Sequence, residues 1–189
     1  MKAMILDLRF NPGGLLKSAT DLADRFLAAG VIVTTKGRDP ASRIEYDASG
    51  KPTIPNDVSV IVLVNGESAS ASEVLAGALQ DHRRALLVGS RTFGKGVVQT
   101  TIPFDGDRAL VKLTTARYYT PSGRCIEKLV GVDADRVGSG GILPDVEVTL
   151  NDAETRAAAV RIGRLRALED VLGSGADSRD SQRIADREI

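Results

Sequence analysis

The stretch VSVIVLVNGESASASEVLAGALQDHRRALLVG, residues 58–89, reads as strand, helix and strand in direct succession. VSVIVLV (58–64) is a short apolar, β-branched run and the clearest strand in the sequence. The Ala- and Leu-rich part that follows is helical, with Ser and Glu at its start. ALLVG (85–89) returns to strand character. Toward the N-terminus, AMILDLR (3–9) reads as a buried strand and NPGG (11–14) as a turn. Leu15, Ala19, Leu22 and Phe26 follow at helical spacing, and Gly30 is placed to end that helix. VIVTTK (31–36) and RIEYDASGK (43–51) read as strands, the second leaving into a tight turn.

Toward the C-terminus, VVQTTIPF (97–104) and ALVKLTTARYYT (109–120) read as strands joined by a turn at DGDR. LPDVEVTL (143–150) is a last short strand. DAETRAAAVRIGRLRALEDVLG (152–173) is a charged helix whose apolar stripe is Ala158, Ile162, Leu165, Leu168 and Leu172. After Gly173 the chain turns polar, which predicts a frayed tail. The organisation expected is a core over 1–150, a helix over 151–173 and a tail over 174–189. Strands alternating with helices place the chain in the α/β class.

With 189 residues, 42% of them apolar, the chain can bury a sizeable core. Its formal net charge is zero, which removes a broad electrostatic pull toward nucleic acid or anionic membrane. The run at 58–64 is far too short to span a bilayer, and no signal peptide is read at Met1. A lone cysteine, Cys125, excludes an internal disulfide, and one Cys with one His excludes an ordinary structural zinc site.

GSRTFGKGVVQT (89–100) has the glycine and lysine spacing of a phosphate-binding P-loop. The reading fails at Gly96, where a magnesium-binding Ser or Thr is needed. It fails again at VVQTT, which favours a strand where a P-loop runs into a helix. ESASASE (67–73) offers two readings. Ser70 and Glu73 fit a capping box, S-x-x-E. Alternatively a serine on a strand-to-helix turn is a nucleophile, with free N–H groups at the helix start to stabilise an oxyanion.

A serine nucleophile needs a base. The lone histidine, His82, lies twelve helical residues from Ser70, roughly 18 Å at about 1.5 Å per residue. That is beyond hydrogen-bond reach; His82 is expected to be solvated near the helix C-terminus. Lysine remains. A free lysine titrates near ~10.4, and lowering that to ~7.5 costs roughly 4 kcal/mol. Burial against apolar groups can supply it. Lys95, between Phe93 and the Val97-Val98 pair, is placed for such burial. If 95–99 is extended, Lys95, Val97 and Gln99 share a face, so that Gln99 can orient the amine.

ILDLRFNPGGLL, VNGESASASEVLAGALQDHRRALLVGSRTFGKGVVQT, and ARYYTPSGRCI followed by GILPDVEV together resemble the carboxy-terminal processing, or tail-specific, proteases. The matching stretches occur in the family's order over most of residues 4–149. The resemblance implies a serine endopeptidase on a crotonase-like α/β core of mixed sheets with flanking helices. By it, Ser70 is the nucleophile, Lys95 the general base and Gln99 its orienting partner. Ser68 and Ser72 are then capping or packing residues. The oxyanion hole is the backbone N–H of Ala71 with that of Gly13 or Gly14, the two glycines remaining unseparated.

No metal or cofactor is implied. The substrates implied are proteins with apolar C-termini, and the implied location is extracytoplasmic, in the periplasm or at the membrane surface. The family's PDZ domain and further core strands are expected to be missing ahead of residue 4, which leaves open sheet edges that favour self-association. The alternative on the same core is a non-catalytic binding module, against which the joint presence of Ser70, Lys95 and Gln99 argues.

Overall fold

The computed structural model describes residues 1–104, 108–128, 140–165 and 167. In chain order its elements are β1 (Ala3–Asp7), α1 (Leu16–Asp24), β2 (Val31–Gly37), β3 (Ile44–Asp47), β4 (Ser59–Val64), α2 (Ala71–Asp81), β5 (Leu86–Gly89), β6 (Val97–Phe104), β7 (Ala109–Tyr119), β8 (Val146–Glu147) and α3 (152–165). Residues 1–148 form one unit and residues 149–189 belong to a second.

The stretch at 58–89 folds as strand, helix and strand, and β4 and β5 pair in parallel as that connection requires. The first sheet has the order β1-β4-β5-β8 and is parallel throughout. The second, β3-β2-β7-β6, is antiparallel. The α/β expectation of mixed sheets with flanking helices therefore holds. α2 packs against α1, against β5 of the first sheet and against β2 of the second. Its residues from Ala71 to Leu79 are all buried, so it forms the centre of the core. Val60, Val62 and Val64 meet it from β4, and Ile32 and Val33 from β2. Small residues along α2, Ala76, Gly77 and Ala78, let these layers approach closely.

Three strands are shorter than their sequence patterns predict. Residues 143–150 contribute only Val146–Glu147, because Asp145 leaves the strand pattern: its carboxylate accepts from the Leu87 N–H (2.8 Å) and the Gln80 amide (2.9 Å). β1 stops at Asp7 and β3 at Asp47. The turn predicted at DGDR falls mostly outside the described residues.

In the second unit, Asn151 caps α3 by accepting from the N–H groups of Ala153 and Glu154, each at 3.0 Å. Ala158 and Ile162 are half-buried as predicted. Leu165, expected in the same stripe, is 54% exposed. Leu168, Leu172 and the tail lie outside the described residues. No helix among the described residues is long and apolar enough to cross a membrane.

Candidate active site

Strands β1, β4 and β5 are parallel neighbours, so their C-terminal ends lie along one edge of the sheet. Open α/β sheets bind ligands outside that edge. Three loops emerge there, at 8–15, 65–70 and 90–96. The first two are laced together by the Phe10 N–H to Asn65 Oδ1 (3.0 Å), the Ala69 N–H to the Asn11 carbonyl (3.0 Å) and the Ser68 hydroxyl to the Leu8 carbonyl (2.7 Å). The Phe93 N–H, donating to the Ser68 carbonyl at 3.0 Å, ties in the third. Ser68 is fully buried and is a packing residue.

Ser70 is the N-cap of α2 and has φ 56° and ψ −117°. A non-glycine residue in this region is strained, and such strain concentrates at functional sites. The sharp turn is what converts β4 into α2 within a few residues. Glu73 reaches back to the Ser70 N–H at 2.8 Å, which is one half of the capping box. The Ser70 hydroxyl stands within capping reach of the Glu73 N–H, but that N–H makes its hydrogen bond to the Ser70 carbonyl at 2.9 Å.

Gly13 lies directly against this turn. A Cβ there would come within 2.6 Å of the Ala69 carbonyl oxygen and 2.8 Å of the Ala71 nitrogen, and its φ is +92°, so only glycine fits. The Gly13 N–H is already used, donating to Asn11 Oδ1 at 3.0 Å. The N–H groups of Gly14 and Ala71 have no acceptor among the described residues, and both residues line the same cleft. Two residues ahead of Asn11, Arg9 grips Asp7 with a two-pronged ion pair, 3.0 Å and 2.7 Å. That hydrogen-bonded carboxylate raises the guanidinium pKa further.

Glu73 is 0% exposed. Its carboxylate accepts four hydrogen bonds: from the N–H groups of Ser70 (2.8 Å), Gly94 (2.7 Å) and Lys95 (2.8 Å), and from the Thr92 hydroxyl (2.5 Å). A buried carboxylate is tolerable only when saturated in this way. Sequence reasoning treats Glu73 as a local cap. The other three donors lie nineteen to twenty-two residues away, and no local pattern signals them. Thr92, which also accepts from the Ile142 N–H at 2.7 Å, was missed for the same reason.

Lys95 corrects one expectation. Its side chain is exposed, and Phe93 beside it is 58% exposed, so the predicted apolar burial is absent. The reason lies in the backbone. Gly94 and Gly96 are the buried residues of this turn, and a Cβ at Gly96 would come within 2.1 Å of the Glu127 nitrogen. With its main chain pressed inward, the intervening side chain points out. The extended run expected over 95–99 begins at Val97, where β6 starts; the register shift opposite Val98 and Gln99 comes from an extra residue, Thr115, on β7. Gln99 is exposed, and no hydrogen bond among the described residues joins Lys95 Nζ to it or to Ser70. The structure brings the main chains of Ser70 and Lys95 to one carboxylate.

His82 follows an unbroken α2, which keeps it remote from Ser70. It is not solvated as predicted. Its ring is half-buried beside Gly30 and hydrogen-bonds to the Val31 carbonyl at 2.7 Å.

Residues 1–148 match the model of peptidase family S41. A carboxy-terminal-processing protease of Bartonella bacilliformis is 48% identical over 160 residues, covering 82% of this chain and 36% of the relative. A carboxyl-terminal-processing protease of Synechocystis is 43% identical over 145 residues, covering 77% and 33%. Among solved structures, a photosystem II D1 C-terminal processing protease matches with a TM-score of 0.66 at 37% identity, over 78% of this chain and 35% of that one. Mature CPAF, with a TM-score of 0.60 at 16% identity, shares the fold over 78% of this chain and 39% of its own. The chain spans about a third of the length of these relatives. On these matches, the chain belongs to peptidase family S41.

Proposed function

We propose that this chain carries the catalytic centre of a serine endopeptidase that works by acyl transfer with a Ser-Lys dyad. The observation that carries the reading is the strained turn at Ser70, held by the same buried carboxylate that holds Lys95. Ser70 attacks the peptide carbonyl, and the Lys95 amine takes its proton. The N–H groups of Ala71 and Gly14 stabilise the tetrahedral oxyanion. Gly14 is preferred over Gly13 because the Gly13 N–H already has an acceptor. Lys95 then gives its proton to the leaving amine, and water releases the acyl group. Gln99 orients Lys95 only if the turn at 94–96 closes over the substrate.

A lysine serves as base in its neutral form, which desolvation favours. Since Lys95 is exposed here, the desolvation is supplied by the bound substrate, whose extended chain lies over Phe93 and Lys95. Active-site hydrogen bonds often tighten only in such complexes. The substrates are proteins cleaved near apolar C-termini, in an extracytoplasmic compartment. The relatives named as carboxy-terminal-processing proteases support cleavage near a C-terminus. Self-association of the chain belongs to the same proposal.

The test is cleavage of an unfolded substrate with an apolar C-terminus. Ser70→Ala and Lys95→Ala each abolish it while the circular dichroism spectrum is unchanged. Normal cleavage by Lys95→Ala overturns the dyad.

A further inference from the structure

Three successive N–H groups of the turn that carries Lys95 all end on carboxylate oxygens. Those of Gly94 and Lys95 go to the two oxygens of Glu73, at 2.7 Å and 2.8 Å. The third, of Gly96, goes to Oε2 of Glu127 at 2.6 Å. The carbonyls of the turn are held as well. Gly94 accepts from the Lys128 N–H at 2.9 Å, and Gly96 from the Tyr118 N–H at 2.7 Å. The segment that bears Glu127 is itself anchored. Ile126 is fully buried, donates its N–H to the Tyr118 carbonyl at 3.1 Å and accepts from the Gly141 N–H at 2.9 Å. A Cβ at Gly96 would stand 2.1 Å from the Glu127 nitrogen, so the two main chains pack in direct contact, which only glycine permits at residue 96.

We infer that Glu127 is a positioning residue for the proposed base: its carboxylate, through Gly96, fixes the backbone from which the Lys95 amine reaches Ser70. The inference rests on the Ser-Lys reading. Lys95 has an exposed side chain on an anchored main chain. Where its amine stands relative to Ser70 therefore depends on how firmly residues 94–96 are held. Glu73 holds the first two N–H groups and Glu127 the third. Among the described residues Glu127 forms no ion pair, and the Gly96 N–H is its side chain's one hydrogen-bond partner. Its role therefore needs an acceptor oxygen at the end of a side chain of this length. An ionised acceptor makes such a bond roughly twice as strong as a neutral one does, so an amide oxygen fills the role in part and a thioether does not. A misplacement of about 1 Å at a reacting group costs on the order of 100-fold in rate, which makes the loss visible in kcat.

The experiment compares Glu127→Gln, which keeps an acceptor oxygen, with Glu127→Met, which keeps length and bulk but offers none. The probe is a quenched-fluorescence peptide with an apolar C-terminus, and kcat is counted per Ser70 labelled by a fluorophosphonate. That count removes any loss due to unfolded chains, which a purely structural residue would cause. Glu127→Met is expected to lower kcat at least about tenfold with KM within about twofold of the parent, and Glu127→Gln to restore kcat to within about threefold. Amide hydrogen exchange of the parent chain gives a second measurement that needs no variant to fold: the Gly96 N–H is protected together with those of Gly94 and Lys95. A Glu127→Met chain with parental kcat overturns the inference, as does one whose loss lies in KM alone. Equal slowing in Glu127→Gln and Glu127→Met, or an unprotected Gly96 N–H, overturns it too. All four results leave the dyad standing. Normal cleavage by Lys95→Ala overturns the dyad reading. A parent chain that cleaves no peptide, and whose Ser70 the fluorophosphonate does not label, overturns both.

Discussion

Ser70 and Lys95 donate their backbone N–H groups to one and the same oxygen, Oε2 of Glu73, each at 2.8 Å. The second oxygen of that carboxylate takes the Gly94 N–H and the Thr92 hydroxyl. One side chain on the first turn of α2 therefore fixes the start of its own helix and the loop after β5. Loops are the mobile parts of a fold. Pinning two of them to a single buried atom keeps the residues they carry in register.

Replacing Glu73 tests this arrangement. In Glu73→Ala, four donors lose their acceptor, and each one left buried and unsatisfied costs about 1–3 kcal/mol. The variant is expected to be strongly destabilised in urea titration. Glu73→Gln keeps the shape, but its amide nitrogen cannot accept. One pair of donors is orphaned, so the loss of stability is smaller. Under the proposed function, Glu73→Gln lowers kcat far more than it raises KM, since the dyad and not the substrate cleft is disturbed. A Glu73→Gln enzyme with wild-type kcat and a wild-type urea midpoint contradicts the arrangement.

Gly13 and Gly14 are adjacent and respond differently to alanine. At Gly13 a methyl group collides with main chain on both sides of Ser70, and φ +92° is unfavourable for any L-residue. Gly13→Ala is expected to lose at least about 2 kcal/mol, from the left-handed backbone and the collision together. A Cβ at Gly14 meets nothing within 4 Å, and Gly14→Ala is expected to fold with its melting temperature nearly unchanged. Equal melting temperatures for the two variants would contradict the packing of Gly13 on the Ser70 turn.

Asp81, at the end of α2, gives a pH dependence. Burial by itself raises its pKa, but hydrogen bonds from Thr120 and Ser122 and the charge of Arg124 outweigh it and leave the pKa lowered. A carboxyl that is more acidic in the folded state contributes stability above its unfolded value of ~3.9. The contribution disappears as pH falls through the lower folded value. Melting temperatures taken from pH 6 down to about pH 2 should therefore fall less steeply for Asp81→Asn than for the parent chain. Parallel curves would show that Asp81 does not contribute to the acid limb.

Much of the architecture was legible along the chain because strands and helices announce themselves by local periodicity. β4, α2, β6 and β7 appear within a residue or two of where their patterns place them. The serine-rich helix start and the GKG turn were legible as well, through composition and resemblance. The side-chain environment of Lys95 was not. The flanking residues Phe93, Val97 and Val98 suggest burial, but contacts of Gly94 with Lys128 and of Gly96 with Glu127 decide which way the turn faces. Those contacts join residues more than thirty positions apart.

The sequence by itself determined the order and type of the elements and the residues capable of the chemistry, since periodicity, turn residues and motif spacing are properties of neighbours along the chain. Only the tertiary structure decided that Glu73 joins Ser70 to Lys95, that the Gly13 N–H has an acceptor while that of Gly14 has none among the described residues, and that Leu15 and Leu22 border a cleft. Each of these depends on which strand ends the parallel sheet sets side by side, and pairing between distant strands leaves no local mark.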